Sequence, residues 1–159
     1  HGYWRFQDSW LLTRIYPWLL LADAWLYAVC LVYLPLLWGR RVICDRFVVD
    51  TLVDLMTGLD DDRLDEGLLG RCFLAILPAR TRVIVMTVDR AAAIGRSAEL
   101  ATDRTWARRR EIYLGIASRN GFAVVDAASS IDSTTSAVCG VLCHERELWP
   151  VCAERADAE

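Results

Sequence analysis

Three short apolar runs, each followed by an aspartate, constrain the fold of this 159-residue chain more than any other feature. The runs cover residues 42–44, 82–88 and 121–125, and they are bounded by polar residues or glycine. Such runs are typical of strands that are buried on both faces. Helical patterns separate them, at the residues 64–77, 91–96 and 104–119. Strands that alternate with helices predict an α/β fold, with a parallel sheet flanked by helices.

The segment from residue 15 to residue 38 contains only one charged residue, Asp23. As a helix it is long enough to cross a hydrocarbon core of about 30 Å. Pro17 and Pro35 are expected to interrupt a continuous helix. Arginines lie on both sides of the segment, so their distribution does not favour either orientation across a membrane. We therefore expect a buried, broken helical stretch, and a membrane-anchored protein that uses residues 15–38 is the alternative.

The 18 basic residues are all arginine, and the chain contains no lysine. This composition excludes Schiff-base chemistry, lysine general bases and a phosphate-loop lysine. The 21 acidic residues give a net charge of −3 and are interleaved with the arginines. No basic surface for nucleic acid is predicted, and polymer binding is not expected.

Six cysteines are scattered through apolar surroundings instead of forming a dense framework. We expect reduced thiols and a cytoplasmic location. A zinc site is an alternative for the C-terminal part of the chain, but the spacing of the residues matches no familiar ligand pattern. The residues concerned are Cys139, Cys143, His144 and Cys152.

The pair Asp45-Arg46 is the sharpest candidate for chemistry. Ligands in open parallel sheets bind outside the carboxyl ends of the strands, and this pair directly follows the run at residues 42–44. A carboxylate there can hold Mg²⁺, directly or through water, while the guanidinium fits phosphate oxygens. The pair is suited to phosphoryl chemistry, and an ion pair or a surface turn is the alternative.

A longer series of motifs surrounds this pair. A helix containing Leu20-Leu21-Ala22-Asp23 leads through Pro35 to Gly39-Arg40-Arg41, a hydrophobic run and the triplet Asp45-Arg46-Phe47. The series continues with Asp89, Arg96, the helix at residues 108–114 and Asp126-Ala127. In order and spacing, the region from about Leu19 to Leu142 resembles the thymidylate kinases and their close relatives.

The resemblance implies transfer of the γ-phosphoryl group of ATP to a nucleoside monophosphate, with Mg²⁺. It implies that Arg46 holds the acceptor phosphate, Asp45 organises Mg²⁺ or its waters, and Phe47 lines the acceptor pocket together with Asp23. It places Arg96 near the ATP phosphates, and Asp126 and Ala127 beside the adenine. A homodimer is also typical of the resembled family, through helices near the N-terminal tryptophans.

The chain departs from this family at its beginning. The family starts with a strand and a phosphate-binding loop ending in Gly-Lys-Ser or Gly-Lys-Thr, and neither occurs here. In addition, Ala24 stands where the family has an arginine. We therefore predict a single P-loop kinase-like domain over residues 1–159 that lacks its first strand and phosphate loop and is incomplete at the N-terminus. A catalytically inactive nucleotide-binding or assembly module is the alternative to an enzyme.

Overall fold

The computed structural model describes residues 10–96, 103–128 and 130–143, with the backbone alone at residues 10–13 and 96. The chain is a mixed α/β protein that is mostly helical, with a small parallel sheet of two strands in the described part. It divides into two compact units, His1–Thr81 and Arg82–Glu159.

The first unit begins with a long interrupted helix. Helix α1 (Trp10–Ala28) continues into a π-helical segment (Val29–Tyr33), in which the Leu34 N–H donates to the Val29 carbonyl, and then into α2 (Leu34–Leu37). Pro17 lies inside α1, and Pro35 lies at the start of α2, where a missing N–H is tolerated. The helical path therefore continues from Trp10 to Leu37, and its one irregularity is the π-helical segment; the interruption predicted at Pro17 is wrong.

The predicted burial of this stretch is wrong. From Arg14 to Leu37 the structure has 24 residues that by length and composition would suffice to cross a bilayer, yet only 11% of the most apolar window is buried. An apolar composition indicates that a helix avoids water but does not identify what covers it. Among the described side chains of this helical stretch, the buried ones are Pro17, Ala28 and Val32.

The core of the first unit forms between α3 (Val48–Leu59) and α4 (Leu68–Leu74). Apolar residues recur along α3 at helical spacing, so one side of that helix is buried. A 3₁₀ turn (Leu64–Glu66) precedes α4, so the single helix predicted over residues 64–77 is divided and ends at Leu74. The largest fully buried side chains of this unit are Phe73, Leu52, Met56, Ile76, Val48 and Val53.

The second unit contains the sheet. Strand β1 (Ile84–Thr87) leads into α5 (Arg90–Arg96), and α6 (Trp106–Asn120) precedes β2 (Ala123–Asp126) and α7 (Ile131–Cys143). The strands pair in parallel, with Ile84 opposite Ala123 and Thr87 opposite Asp126.

Helix α6 contacts both strands of this sheet, and α7 contacts β2. Val85 and Val125 are buried beneath the helices together with Ile116 of α6, while Met86 and Val124 remain exposed. Gly121 closes α6 in the left-handed conformation, as the Asn-Gly sequence predicts. The two strands and their parallel pairing are confirmed.

The third predicted strand, at residues 42–44, is wrong. These residues have no regular secondary structure, and Ile43 is 81% exposed. A strand needs a neighbour that satisfies its backbone N–H and C=O groups, and no strand of the described residues pairs with this run. The apolar run is therefore an exposed connection between α2 and α3.

Candidate functional site

The Asp-Arg-Phe triplet forms a tight turn in front of α3. Phe47 is the N-cap residue of this helix, and its carbonyl accepts hydrogen bonds from the N–H groups of Asp50 (3.1 Å) and Thr51 (3.3 Å). Asp45 and Arg46 precede it and are both exposed. The start of α3 therefore fixes the position of the triplet, even though no strand leads into it.

Arg46 adopts the left-handed backbone conformation, with φ of 54°. A residue that carries a Cβ is disfavoured there by about 1–2 kcal/mol, and glycine would be the ordinary occupant of such a turn. Strained residues of this kind cluster where a side chain is needed at a fixed position. The strain at Arg46 therefore marks the triplet as a candidate site.

An aromatic contact connects the triplet with α1. The rings of Tyr27 and Phe47 are tilted by 41°, with 6.0 Å between their centroids. Tyr27 lies four residues after Asp23, and residues at this spacing share one face of a helix. The contact thus places the part of α1 around Tyr27 next to the triplet, and Asp23 lies one helical turn before Tyr27 on α1.

Tyr27 is a residue of this region that sequence reasoning did not identify. Its side chain is 50% exposed, which leaves part of the ring accessible. The signal that could have found it is the spacing of one helical turn from Asp23. Aromatic rings can stack on a planar base, and an arginine next to them in the sequence, as Arg46 is to Phe47, can bind an anion.

The thiol of Cys44 borders the same turn. Partial burial raises the pKa of this thiol above its ordinary value.

The remaining predicted site residues lie in the second unit, at the carboxyl ends of the two strands. Asp126 is the last residue of β2, and its carboxylate accepts a hydrogen bond from the Ala128 N–H (2.9 Å). The Ala127 N–H donates to the Thr87 carbonyl (2.6 Å) and so extends the pairing of the strands. Both residues build the turn after β2, where the resemblance expects contacts through the backbone.

Asp89 has a capping role after β1. Its carboxylate accepts a hydrogen bond from the Ala92 N–H (2.8 Å), which satisfies an amide of the first turn of α5. Arg96 is the last residue of this helix. The side chain of Arg96 lies outside the described part, as does much of the segment after it that the resemblance equates with a lid.

Asp103 precedes α6 and is a further acidic residue whose hydrogen-bond partners are defined. Its carboxylate accepts hydrogen bonds from the Thr105 hydroxyl (2.7 Å) and the Thr105 N–H (2.8 Å). The hydroxyl hydrogen bond is the main reason that the pKa of Asp103 lies below its ordinary value. This arrangement fixes the entry to α6 and explains the acid without a ligand.

No family model matches the chain, and neither a curated protein nor a solved structure matches it significantly. The geometry of the residues therefore carries the functional argument.

Metal binding was tested against the donor atoms of the described residues. Among them, no group of three histidine, cysteine or acidic side chains converges on one point. Mg²⁺ needs only one or two protein carboxylates when phosphate and water supply the other ligands. The exposed carboxylate of Asp45 is compatible with this kind of binding. For the zinc alternative, Cys139 and Cys143 lie on α7, whereas His144 and Cys152 lie outside the described residues.

Proposed function

We propose that this chain binds a nucleoside monophosphate at the Asp-Arg-Phe turn of its first unit, as a thymidylate kinase-like protein. The observation that carries the proposal is the left-handed backbone of Arg46 within a turn whose Phe47 contacts α1. An exposed arginine with a strained backbone, next in sequence to one of two aromatic residues in contact, suits a ligand that has both a phosphate and a planar base.

Each residue of the turn has a distinct role in this proposal. Arg46 donates hydrogen bonds to the phosphate of the nucleotide, and Tyr27 and Phe47 contact its base. Asp23, on the same helix face as Tyr27, accepts hydrogen bonds from the nucleotide. Asp45 holds Mg²⁺ through water, and the ion would supply further neutralisation of phosphate charge when bound.

Phosphorylation of the bound nucleotide by ATP is the wider proposal that the resemblance implies. In that proposal Arg96 approaches the ATP phosphates, and the turn at Asp126 and Ala127 flanks the adenine. The 159 residues contain no lysine and no Gly-Lys-Ser or Gly-Lys-Thr sequence. They therefore do not fit the triphosphate of ATP in the way that the family holds it.

The absence of lysine favours a second candidate function, a nucleotide-binding module without turnover. Without the amides of a phosphate loop, a triphosphate would forfeit several charge-assisted hydrogen bonds. The two candidates share the acceptor site and differ in the reaction. An assay for ADP, with thymidylate, ATP and Mg²⁺ present, distinguishes them, because the module releases none.

Calorimetric titration with thymidylate and with thymidine tests the acceptor site. We expect thymidylate to bind more tightly than thymidine, because only thymidylate offers a phosphate to Arg46. In Arg46→Gln the affinity for thymidylate should fall by about tenfold or more, since a hydrogen bond to a charged group contributes about 1.5–3 kcal/mol.

Arg63→Gln is the matched control. Arg63 is an exposed arginine of the same unit, in the loop after α3, and the same substitution there should leave the affinity unchanged. The proposal fails if thymidine binds as well as thymidylate, or if both variants lose affinity to the same extent.

A further inference from the structure

The side of α1 that does not contact α3 and α4 carries a continuous apolar surface. Its residues are spaced three, four and seven apart, so they follow one side of the helix. All of them are exposed. We call this surface the apolar face of α1, and it consists of Ile15, Trp18, Leu19, Ala22, Trp25 and Leu26.

The opposite side of the same helix is attached to the first unit. Pro17 and Ala28 are buried there, and α1 contacts both α3 and α4. Beyond α1, the Tyr33 hydroxyl donates a hydrogen bond to the Ile76 carbonyl (2.9 Å). A helix attached along one side does not fit a single span that lipid surrounds on all sides, whereas it does fit a helix that exposes only one side to lipid.

Charge distinguishes what can cover the apolar face. Residues 14–41 contain three arginines and one aspartate, which gives this segment a net charge of +2 in a chain whose net charge is −3. The arginines stand at its two ends, Arg14 before the face and Arg40 and Arg41 after α2. A second copy of the segment would bring the same positive charge, whereas an anionic surface would neutralise it.

The aromatic residues fit the boundary between headgroups and acyl chains. Trp18 and Trp25 lie on the apolar face, and Trp38 is exposed at the end of α2. The guanidinium of Arg40 lies 5.9 Å from the centre of the Trp38 ring. Tryptophan beside arginine is the combination that this boundary favours, because the ring is amphipathic and the cation contacts phosphate.

We propose that the apolar face of α1 docks on an anionic lipid surface, with the helix lying in the plane of the membrane and the arginines at both ends contacting the headgroups. This inference goes beyond nucleotide binding and rests on different residues. It makes the protein a peripheral membrane protein whose first unit is held at the bilayer by one side of one helix.

Co-sedimentation with vesicles tests this docking. The full chain is mixed with vesicles of phosphatidylcholine alone, or of three parts phosphatidylcholine to one part phosphatidylserine. We expect binding to the anionic vesicles that weakens as salt is raised. Leu26→Glu should lower the partition coefficient by about tenfold or more, because it replaces an apolar contact by a charge.

Leu68→Glu provides the matched control. Leu68 is 72% exposed and lies on α4, whereas Leu26 is 65% exposed on the apolar face, so the same substitution is made at similar exposure. Leu68→Glu should leave vesicle binding unchanged. Arg40→Gln and Arg41→Gln should each weaken binding to anionic vesicles by about fivefold, without effect on neutral vesicles.

The outcomes separate lipid from protein as the occupant. Far-ultraviolet circular dichroism establishes that each variant is folded, and Leu19→Glu repeats the measurement at a second position of the face. Equal vesicle binding by Leu26→Glu and the unchanged chain overturns the proposal. Failure of the unchanged chain to bind vesicles also overturns the proposal. If the chain then sediments as a dimer that Leu26→Glu converts to a monomer, the apolar face is assigned to a second copy of the chain.

Discussion

Replacement of Arg46 by glycine and by alanine, compared with each other, tests the left-handed turn at the centre of the candidate site. Both variants lose the guanidinium, so the difference between them isolates the backbone. Alanine retains the strain of the left-handed conformation, about 1–2 kcal/mol. Glycine removes the strain but has about 0.5–1 kcal/mol more conformational entropy to lose on folding. The glycine variant should therefore be the more stable of the two by about 0.5–1 kcal/mol.

Urea unfolding followed by circular dichroism measures this difference. Asp60 also has a positive φ, of 59°, and closes α3, so its glycine variant should likewise be more stable than its alanine variant. Asp54 lies inside α3, where alanine should be the more stable by about 1 kcal/mol. The reasoning about strain is refuted if positions 46 and 54 show the same order.

The same glycine variant connects strain with function. Arg46→Gly should bind thymidylate at least as poorly as Arg46→Gln, although it is more stable than Arg46→Ala. If Arg46→Gly has the more stable backbone but binds thymidylate more weakly, the strain at position 46 is retained because the arginine side chain is needed for binding. Tight thymidylate binding by Arg46→Gly would show that the guanidinium does not hold the phosphate.

Three further predictions concern single contacts. Gly70→Ala should destabilise the chain by about 1–3 kcal/mol in urea unfolding, because the added Cβ would overlap the backbone of the preceding 3₁₀ turn. Gly58→Ala is the contrasting substitution: the added Cβ in α3 meets open space, so this variant should be more stable by about 1 kcal/mol. Tyr33→Phe should lower the free energy of unfolding by about 0.5–1.5 kcal/mol through loss of its hydrogen bond to a backbone carbonyl; an unchanged value would contradict that bond. Thr105→Val should raise the pKa of Asp103 in a carbon NMR titration. Because folding lowers this pKa in the unchanged protein, the variant should be less stable than the unchanged protein at neutral pH. This difference in stability should disappear as the pH falls through the lowered pKa.

The second unit was the more predictable part of the fold. Its strands combine β-branched residues with polar or glycine boundaries, and each satisfies its backbone with the other. The run at residues 42–44 has the same composition but pairs with no strand of the described residues. Residue composition indicates that a segment favours an extended conformation. The hydrogen bonds that make the segment a strand also require a partner strand elsewhere in the chain.

In the candidate site, the sequence predicted which residues take part, and their chemistry stays a prediction, whereas the geometry was not predicted. Asp45, Arg46 and Phe47 were predicted from their residue types and order. The positive φ of Arg46 was not, because arginine gives no preference for that conformation. The contact of Tyr27 with Phe47 joins residues twenty positions apart, which no local spacing rule describes. The exposure of α1 was not predicted for a similar reason, because an apolar sequence does not show which other residues pack against the helix.

The π-helical segment has a consequence for how this chain tolerates changes of length. A π turn accommodates one residue more than the α-helix around it. Deleting one residue between Val29 and Tyr33 would convert the segment into ordinary α-helix and preserve the direction of everything that follows. The same deletion earlier in α1 would turn the following residues by about 100° around the helix axis and carry Tyr33 away from Ile76. Viable one-residue deletions within the helical stretch from Trp10 to Leu37 should therefore concentrate in those five residues.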